Sequence, residues 1–201
     1  METSLPRHRP LLIAACVLGL LVLAGIAIQV GAISGPKTGD IVGGPFQLVD
    51  QTGRPVDEKV LKGKWNVVFF GYTYCPDVCP ATMQAVRAAA DQLGPKGKDL
   101  RIVFISVDPG RDSPAKLKEW IEAQGLPEGT LGLTGTPVQV AAAARAYRVV
   151  YSAQGEGDYY QVNHSTAAYL MTPRGRFDRV LAYGLTPEQM ADQIRKAMRG
   201  D

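Results

Sequence analysis

Two continuous apolar runs, rich in β-branched and aromatic residues, predict the strands at the centre of a sheet. They cover residues 64–71 and 100–106. Neither run alternates between polar and apolar positions, so both faces of each strand are expected to be buried, as in a parallel sheet. Between the runs, apolar residues recur every three or four positions from Val78 to Leu93, which predicts an amphipathic helix that ends at Gly94-Pro95.

Three further helices are predicted from the residues that begin them. A hydroxyl residue that can cap a helix, followed by the proline favoured at its first position, occurs three times. The pairs are Ser113-Pro114, Thr136-Pro137 and Thr186-Pro187. The helices that follow these pairs are expected to end near residues 124, 146 and 198.

The remaining extended segments predict a strand with its turn, an extended excursion or hairpin, and a second, clearer hairpin. They cover residues 46–53, residues 148–151 with 159–162, and residues 167–171 with 177–182. Combined with the strand–helix–strand unit, this order predicts an α/β fold, a thioredoxin-like sandwich with an added hairpin. The predicted domain spans residues 45–201.

The N-terminal segment predicts a membrane anchor. Residues 11–33 carry no charge and are long enough to cross the hydrocarbon core of a bilayer as a helix. Arg7 and Arg9 precede this run, so the positive-inside rule predicts a cytoplasmic tail at residues 1–10 and a domain on the opposite side. The Gly- and Pro-containing residues 34–44 are then a linker.

Two alternatives to an uncleaved anchor depend on the same segment. A cleaved signal peptide is less consistent with the sequence, because the apolar run is longer than an ordinary signal core. The residues Ile13-Ala-Ala-Cys16 resemble a lipobox, the site at which bacterial lipoproteins are cut and lipidated. Few apolar residues precede Cys16 and many follow it, so we expect this cysteine to be buried in a membrane helix.

Composition and charge limit the partners and the cellular compartments that are expected for this chain. The 201-residue chain has a formal net charge of +3 and no basic run, which argues against a nucleic-acid partner. The short leader lacks the Arg- and Ser-rich character of an organelle transit peptide, so we expect a single pass in a bacterial inner membrane, with the domain in the periplasm. There, a pair of thiols becomes oxidised unless a reductant or a metal protects it.

The candidate chemistry centres on Cys75 and Cys79, in the segment Gly71-Tyr-Thr-Tyr-Cys75-Pro-Asp-Val-Cys79-Pro80. Four residues of separation at the start of a helix put the two sulfurs on one side, within reach of one metal ion or of a disulfide. Unpaired backbone N–H groups and the positive end of the helix dipole are expected to favour both cysteines as thiolates. The pair is therefore a predicted metal site, a predicted redox pair, or both.

His164 is the candidate third ligand. It is the only histidine outside the N-terminal tail, and it precedes the predicted strand 167–171 in what we expect to be a loop at the same sheet edge as the cysteines. Structural zinc requires four protein ligands, and the predicted domain holds no further cysteine. Two sulfurs and one imidazole instead suit copper, as Cu(I) or, with an added water or carboxylate, as Cu(II).

Three motifs carry a resemblance to a known family. They are the cysteine segment, Ile105-Ser-Val-Asp-Pro-Gly-Arg-Asp-Ser-Pro114, and His164-Ser-Thr-Ala-Ala-Tyr-Leu-Met171 with Pro173-Arg-Gly175. In this order the chain resembles the Sco/SenC family of membrane-tethered, thioredoxin-like copper proteins. The resemblance implies copper ligation by Cys75, Cys79 and His164, and delivery of copper to the CuA site of cytochrome c oxidase subunit II. Asn163 departs from the family, because many relatives carry an acid there.

Other candidates have simpler explanations. Asp77 could be a labile ligand or a proton shuttle, although an acid at a helix start is stabilising by itself. Asp108 matches the family aspartate and is a plausible outer influence on Cu(II), but a turn with local ion pairs also explains it. Met83 and Met171 are predicted core residues. Tyr159 and Tyr160 either form an aromatic patch that faces a partner or pack within the predicted hairpin.

Two functions are predicted. The first is a copper metallochaperone. The second is a thiol–disulfide oxidoreductase that reduces cysteines of oxidase subunit II or of a partner chaperone. The further predicted partners are another periplasmic copper chaperone and a thioredoxin-like reductant. The wide cysteine spacing and His164 favour metal binding, although one thiol pair can serve both. A peroxiredoxin is disfavoured, because Thr73 lies two residues before Cys75 rather than three.

Overall fold

The computed structural model describes residues 42–155, 157 and 160–200. The predicted tail, the predicted anchor at residues 11–33 and the first part of the predicted linker lie outside this range, as does Cys16. Within it, every helix is too short or too polar to cross a bilayer. The last linker residues lie against the domain: Val42 packs on the core, and the Gly43 N–H donates to the Ala146 carbonyl at 2.9 Å.

The described residues form a seven-stranded sheet and a separate two-stranded hairpin. The strands are β1 (Gln47–Asp50), β2 (Pro55–Asp57), β3 (Trp65–Gly71), β4 (Leu100–Ser106), β5 (Leu131–Thr134), β6 (Tyr151–Gln154), β7 (Gln161–His164), β8 (Ala168–Met171) and β9 (Phe177–Leu181). The order in the large sheet is β2-β1-β5-β4-β3-β8-β9, with β2 and β9 at its edges. Strand β3 pairs parallel with β4 and antiparallel with β8.

Four α-helices accompany the sheet in the described residues. They are α1 (Val78–Gln92), α2 (Pro114–Ala123), α3 (Pro137–Ala146) and α4 (Pro187–Arg199). Ser113, Thr136 and Thr186 cap the last three, as predicted, and each accepts a hydrogen bond from a backbone N–H three residues on. Helices α1 and α4 pack against each other, α2 packs on β5, and α3 packs on β1.

The core lies along β3 and β4, whose side chains are almost entirely buried. This confirms the prediction from their unbroken apolar runs. Phe69, Phe70 and Phe104 are fully buried, and Phe104 stacks on Trp120 of α2 with ring centroids 4.6 Å apart. Strand β3, which leads directly into the cysteines, is therefore closely packed on both faces.

The structure differs from the sequence predictions in two places. Strand β5 was not predicted, because it has only four residues and Gly132 interrupts its apolar character. The hairpin of β6 and β7 is displaced by about three residues toward the C-terminus of the chain. His164 is consequently the last residue of β7, opposite Tyr151, and not part of a loop before β8.

Candidate metal centre

The two cysteines lie where β3 passes into α1. Cys75 is half-buried in the loop of residues 72–77, called the thiol loop below, and Cys79 is fully buried in the first turn of α1. A Cβ atom at Gly71 would lie 2.8 Å from the Cys79 sulfur and 2.8 Å from the Phe69 ring. The absence of a side chain at Gly71 therefore lets the Cys79 sulfur approach the sheet closely.

The structure brings the three predicted ligands together. The His164 Nε2 atom lies 3.5 Å from the Cys79 sulfur. The ligand atoms of Cys75, Cys79 and His164 all lie within 4.8 Å of one another, and they are the one such group among the described residues. His164 is 85 residues from Cys79 in sequence, so the fold itself creates this group.

The hydrogen bond made by the other ring nitrogen orients His164. Its Nδ1 lies 2.9 Å from the backbone carbonyl of Ser165, and a carbonyl can only accept, so Nδ1 carries the proton. Nε2 then presents its lone pair toward the sulfurs, as a metal ligand requires. Phe69 and Tyr72 hold the ring edge-on, with centroids 5.8 and 5.9 Å away.

A cavity of about 230 Å³ opens beside Cys75 and His164. Tyr72, Asp77, Gln161 and Asn163 contribute to its wall. Asp77 is exposed at the start of α1, and its side chain makes no capping hydrogen bond. The half-buried Cys75 is thus the sulfur that faces incoming molecules, whereas Cys79 lies behind it.

The two thiols differ in protonation, which corrects the expectation that both favour the thiolate. Hydrogen bonding from the Cys79 side chain, helped by backbone N–H groups of Cys79 and Asp77, lowers the pKa of Cys75 to about 5, although burial opposes the shift. The Cys79 N–H lies 3.3 Å from the Cys75 sulfur. The pKa of Cys79 is raised, first because its side chain donates to Cys75 and then because it is buried.

A buried carboxylate that we did not assign to the site holds the thiol loop in place. Asp112 accepts hydrogen bonds from the Thr73 N–H at 3.0 Å, the Thr73 hydroxyl at 2.6 Å and the Ser106 hydroxyl at 2.6 Å. It is completely buried, and this burial raises its pKa. Thr73 is 39 residues away in sequence, and no local signal predicts such a contact.

Asp108 lies apart from the three ligand atoms. Its carboxylate forms an ion pair with Arg111 at 2.6 Å and accepts a hydrogen bond from the Tyr160 hydroxyl. Met83 and Met171 are fully buried in the core, as predicted. Tyr160 is half-buried against the Asp108–Arg111 ion pair, and Tyr159 lies outside the described residues.

Comparison with known proteins decides the family. A profile of the SCO1/SenC family matches residues 34–199. The chain belongs to this family. Over 154 residues it is 43% identical to SenC of Rhodobacter capsulatus, covering 76% of this chain and 69% of SenC. Over 176 residues it is 38% identical to the mitochondrial SCO1 homologue 1 of Arabidopsis thaliana, covering 87% of this chain and 51% of that protein.

Solved structures of family members share the fold. Arabidopsis thaliana ScoI with copper bound is 38% identical, with a TM-score of 0.75 over 80% of this chain and 99% of the other. Yeast Sco1 with copper bound is 36% identical, with a TM-score of 0.73 over 80% of this chain and 90% of the other. The fold of this SCO1/SenC protein is thus the predicted mixed α/β, thioredoxin-like one.

Proposed function

We propose that the protein binds copper through Cys75, Cys79 and His164 and acts in the assembly of cytochrome c oxidase. The observation that carries this proposal is the convergence of two sulfurs and one imidazole nitrogen within 4.8 Å. The copper-bound structures of family members from Arabidopsis thaliana and yeast support it. Copper is here a cargo to be passed on, and it enters as Cu(I) or Cu(II).

The donor set fits copper for chemical reasons. Thiolates are soft ligands that select Cu(I), and imidazole suits both copper oxidation states. Structural zinc sites are closed by four protein ligands, and the group among the described residues offers three. The neutral imidazole, with its proton held by the Ser165 carbonyl, adds a donor without adding charge.

The recipient we propose is the CuA site of cytochrome c oxidase subunit II. A family member with 26% identity, BsSco, is described as belonging to the Sco family of cytochrome c oxidase assembly proteins. The half-buried Cys75 at the cavity mouth supports transfer by exchange of ligands with a docked partner, because a fully enclosed ion could not be reached.

The location is part of the proposal. The uncharged run at residues 11–33 supports a single-pass anchor in a bacterial inner membrane, with Arg7 and Arg9 on the cytoplasmic side and the copper domain in the periplasm. Such an anchor would keep the domain beside its membrane-bound recipient. The intact mass of the protein extracted from membranes tests this, because cleavage and lipidation at Cys16 would change it.

A second function, reduction of a partner disulfide, is favoured by the asymmetry of the thiols. The Cys75 thiolate would attack a partner disulfide, forming a mixed disulfide and releasing one partner thiolate. Cys79 would then give up its proton and attack Cys75, so that the second partner thiol leaves and a Cys75–Cys79 disulfide remains. Two electrons pass to the partner, and a thioredoxin-like reductant must restore the pair.

Copper titration of the full-length protein in detergent tests the first function. We expect one copper ion per chain and a sulfur-to-copper charge-transfer band. The substitution His164→Ala should abolish or blue-shift this band while the Cys75–Cys79 disulfide still forms. His8→Ala, which removes the other histidine of the chain, is the matched control and should change nothing. Unchanged copper affinity in His164→Ala would remove the third ligand from the proposal.

The redox function needs a separate assay. Copper-free reduced protein is mixed with an oxidised fragment of oxidase subunit II, and release of its thiols is followed with time. We expect reduction by wild type and by His164→Ala, and none by Cys75→Ser. Absence of reduction by the wild-type protein would leave copper binding as the function.

A further inference from the structure

We propose that Arg111 is a positioning residue, which holds the β-hairpin carrying His164 against the thiol loop and so sets the copper affinity of the site. The inference rests on the proposed copper function and deepens it. Asp108, Arg111 and Tyr160, called the Arg111 latch below, carry the argument. None of the three supplies an atom to the metal-ligand group.

One side of the latch is a buried ion pair. The Arg111 Nε donates to Asp108 at 2.6 Å, and the two side chains are 14% and 4% exposed. The Asp108 backbone N–H in turn donates to the Ser106 hydroxyl at 3.0 Å, at the end of β4. Since β4 lies in the buried core of the large sheet, these bonds join the guanidinium to the core.

The other side of the latch is the hairpin of β6 and β7. The Arg111 guanidinium carbon lies 3.6 Å from the centre of the Tyr160 ring, and one of its terminal nitrogens donates to the Tyr160 carbonyl at 3.0 Å. The Tyr160 hydroxyl completes the arrangement by donating to Asp108. Tyr160 directly precedes β7, so these contacts fix the start of the strand that ends at His164.

Arg111 also touches the thiol loop. Its guanidinium carbon lies 4.8 Å from the centre of the Tyr74 ring, and Tyr74 directly precedes Cys75. One side chain therefore packs between the ring that precedes a cysteine ligand and the ring that introduces the histidine strand. The thiol loop and the hairpin are distant in sequence, and both contact the Arg111 side chain.

The hairpin is also attached to the rest of the fold at its histidine end, where the His164 ring packs against Phe69 and Tyr72. The hairpin forms its own two-stranded sheet, and three of the four side chains of β6 are exposed. Val162 is the buried side chain of β7, and Gln161 accepts a hydrogen bond from the Tyr72 hydroxyl at 3.2 Å. Two-stranded hairpins are marginally stable alone, so loss of the latch should let His164 move away from the sulfurs.

A double-mutant cycle tests the proposal. The Cu(I) affinity of the full-length protein in detergent is measured by competition with a chromophoric Cu(I) chelator. We expect Arg111→Ala to weaken Cu(I) binding about tenfold, as is typical when an outer partner of a metal ligand is removed. In the His164→Ala background the same substitution should change affinity less than about twofold, because no histidine remains to be positioned.

Two further variants separate positioning from general damage. Tyr160→Phe keeps the ring and removes the hydroxyl that donates to Asp108, so it should weaken Cu(I) binding less than Arg111→Ala does. If Arg111→Ala does not fold, Tyr160→Phe tests the role of the latch in its place. Arg101→Ala removes a part-buried arginine that donates to Asn66 at 2.8 Å, at the start of β4 and away from the site. It should leave Cu(I) affinity within about twofold of wild type.

A spectroscopic readout accompanies the affinities. Electron spin echo spectra of the Cu(II) protein should show imidazole nitrogen coupling in wild type and in Arg101→Ala, and weakened coupling in Arg111→Ala. An equal loss of affinity in both histidine backgrounds, or no loss at all, would overturn the role of Arg111. Wild-type protein that binds no copper, or binding that ignores His164→Ala, would instead overturn the proposed function itself.

Discussion

The seven-stranded sheet and the hairpin of β6 and β7 each supply part of the same site, but they are held very differently. Strand β3, which leads into the thiol loop, is buried along nearly its whole length and has a partner strand on both sides. Within the part of the chain that the structure describes, β6 and β7 pair only with each other, and most of β6 is exposed. Cys75 and Cys79 thus belong to the large sheet and the helices packed on it, called the body below. The third candidate ligand, His164, lies on the separate hairpin.

This difference bears on the proposed copper function, which requires a site that is preorganised and can also release its ion. The position of the Cys79 sulfur depends on core packing, which yields only at a high cost in free energy. The position of His164 depends on ring contacts with Phe69 and Tyr72 and on the Arg111 latch. If the hairpin opens locally, His164 is therefore the residue expected to leave the group first.

The largest effect is expected from Gly71→Ala, in the body. The new Cβ atom would lie 2.8 Å from the Cys79 sulfur and 3.0 Å from the Phe104 ring, so the core must shift. We expect the free energy of unfolding to fall by about 3 kcal/mol, measured by guanidinium titration of the reduced, metal-free protein.

Gly110→Ala is the matched control for that substitution. A Cβ atom there would have its nearest neighbour at 3.8 Å, an ordinary contact, and stability should change by less than about 0.5 kcal/mol. Equal stability of both variants would show that the sulfur of Cys79 is not confined by the sheet.

A smaller effect is expected from Asp112→Asn, which acts on the thiol loop. The carboxylate accepts three hydrogen bonds from Thr73 and Ser106, whereas an amide offers one acceptor oxygen. At least one buried donor then lacks a partner, and the free energy of unfolding should fall by about 2 kcal/mol. Asp91→Asn, at an exposed position of α1, is the control. A stability loss as small as that of the control would contradict the assigned network.

The third prediction concerns the pH dependence of thiol reactivity. The pKa of Cys75 is lowered to about 5, and a thiol reacts as its thiolate. Its alkylation rate should therefore rise with pH through about 5 and level off above, whereas an ordinary thiol becomes faster up to about pH 9. Cys79→Ala removes the main donor to this sulfur, so we expect alkylation at pH 6 to slow about fivefold.

Iodoacetamide labelling of the reduced, metal-free protein, followed by peptide mass spectrometry, measures these rates. Cys79 is fully buried and its pKa is raised, so it should stay unlabelled while Cys75 reacts. Labelling of both cysteines at the same rate would mean that the two thiols are equivalent after all.

The smallest effect on global stability is expected in the hairpin, from Val162→Ala. If the hairpin opens separately, the loss is limited to the small free energy of that opening, so the free energy of global unfolding should fall by less than about 1 kcal/mol, while hydrogen exchange in β7 becomes faster. The same substitution in the body, Val67→Ala, removes a fully buried side chain of β3 and should cost about 2 kcal/mol. Equal costs would show that hairpin and sheet unfold as one unit.

Local signals predicted most of the body. The helices that begin after Ser113, Thr136 and Thr186 start where the capping residues indicate, because caps act within one turn of the chain. Strand β5 was missed because its support is tertiary: a Cβ atom at Gly132 would lie 2.7 Å from Ile121, so this glycine serves packing against α2. The bounds of β6 and β7 were also misplaced, since a largely exposed strand such as β6 has no buried face to specify its position.

The three residues that cluster at the candidate site were predicted from the sequence, whereas the contacts that support them were not. Cys75, Cys79 and His164 stand out in sequence by their type, spacing and scarcity. The pKa of Cys79 is raised by its hydrogen bond to Cys75 and by its burial, and both depend on the folded arrangement. The contacts of Asp112 and Arg111 join residues 39 and 49 positions apart. Such contacts follow from the completed fold, so no pattern within a short window could predict them.

The edge strands of the seven-stranded sheet, β2 and β9, affect how readily copies of the chain can associate. An open strand edge can pair with another copy of the chain, and proteins counter this with short, proline-bearing or charged outer strands. Here β2 has three residues and begins with Pro55, which has no N–H to offer, while β9 carries the Asp178–Arg179 ion pair. Copies of the domain at high local concentration would therefore lack a ready route to polymerisation through their sheet edges.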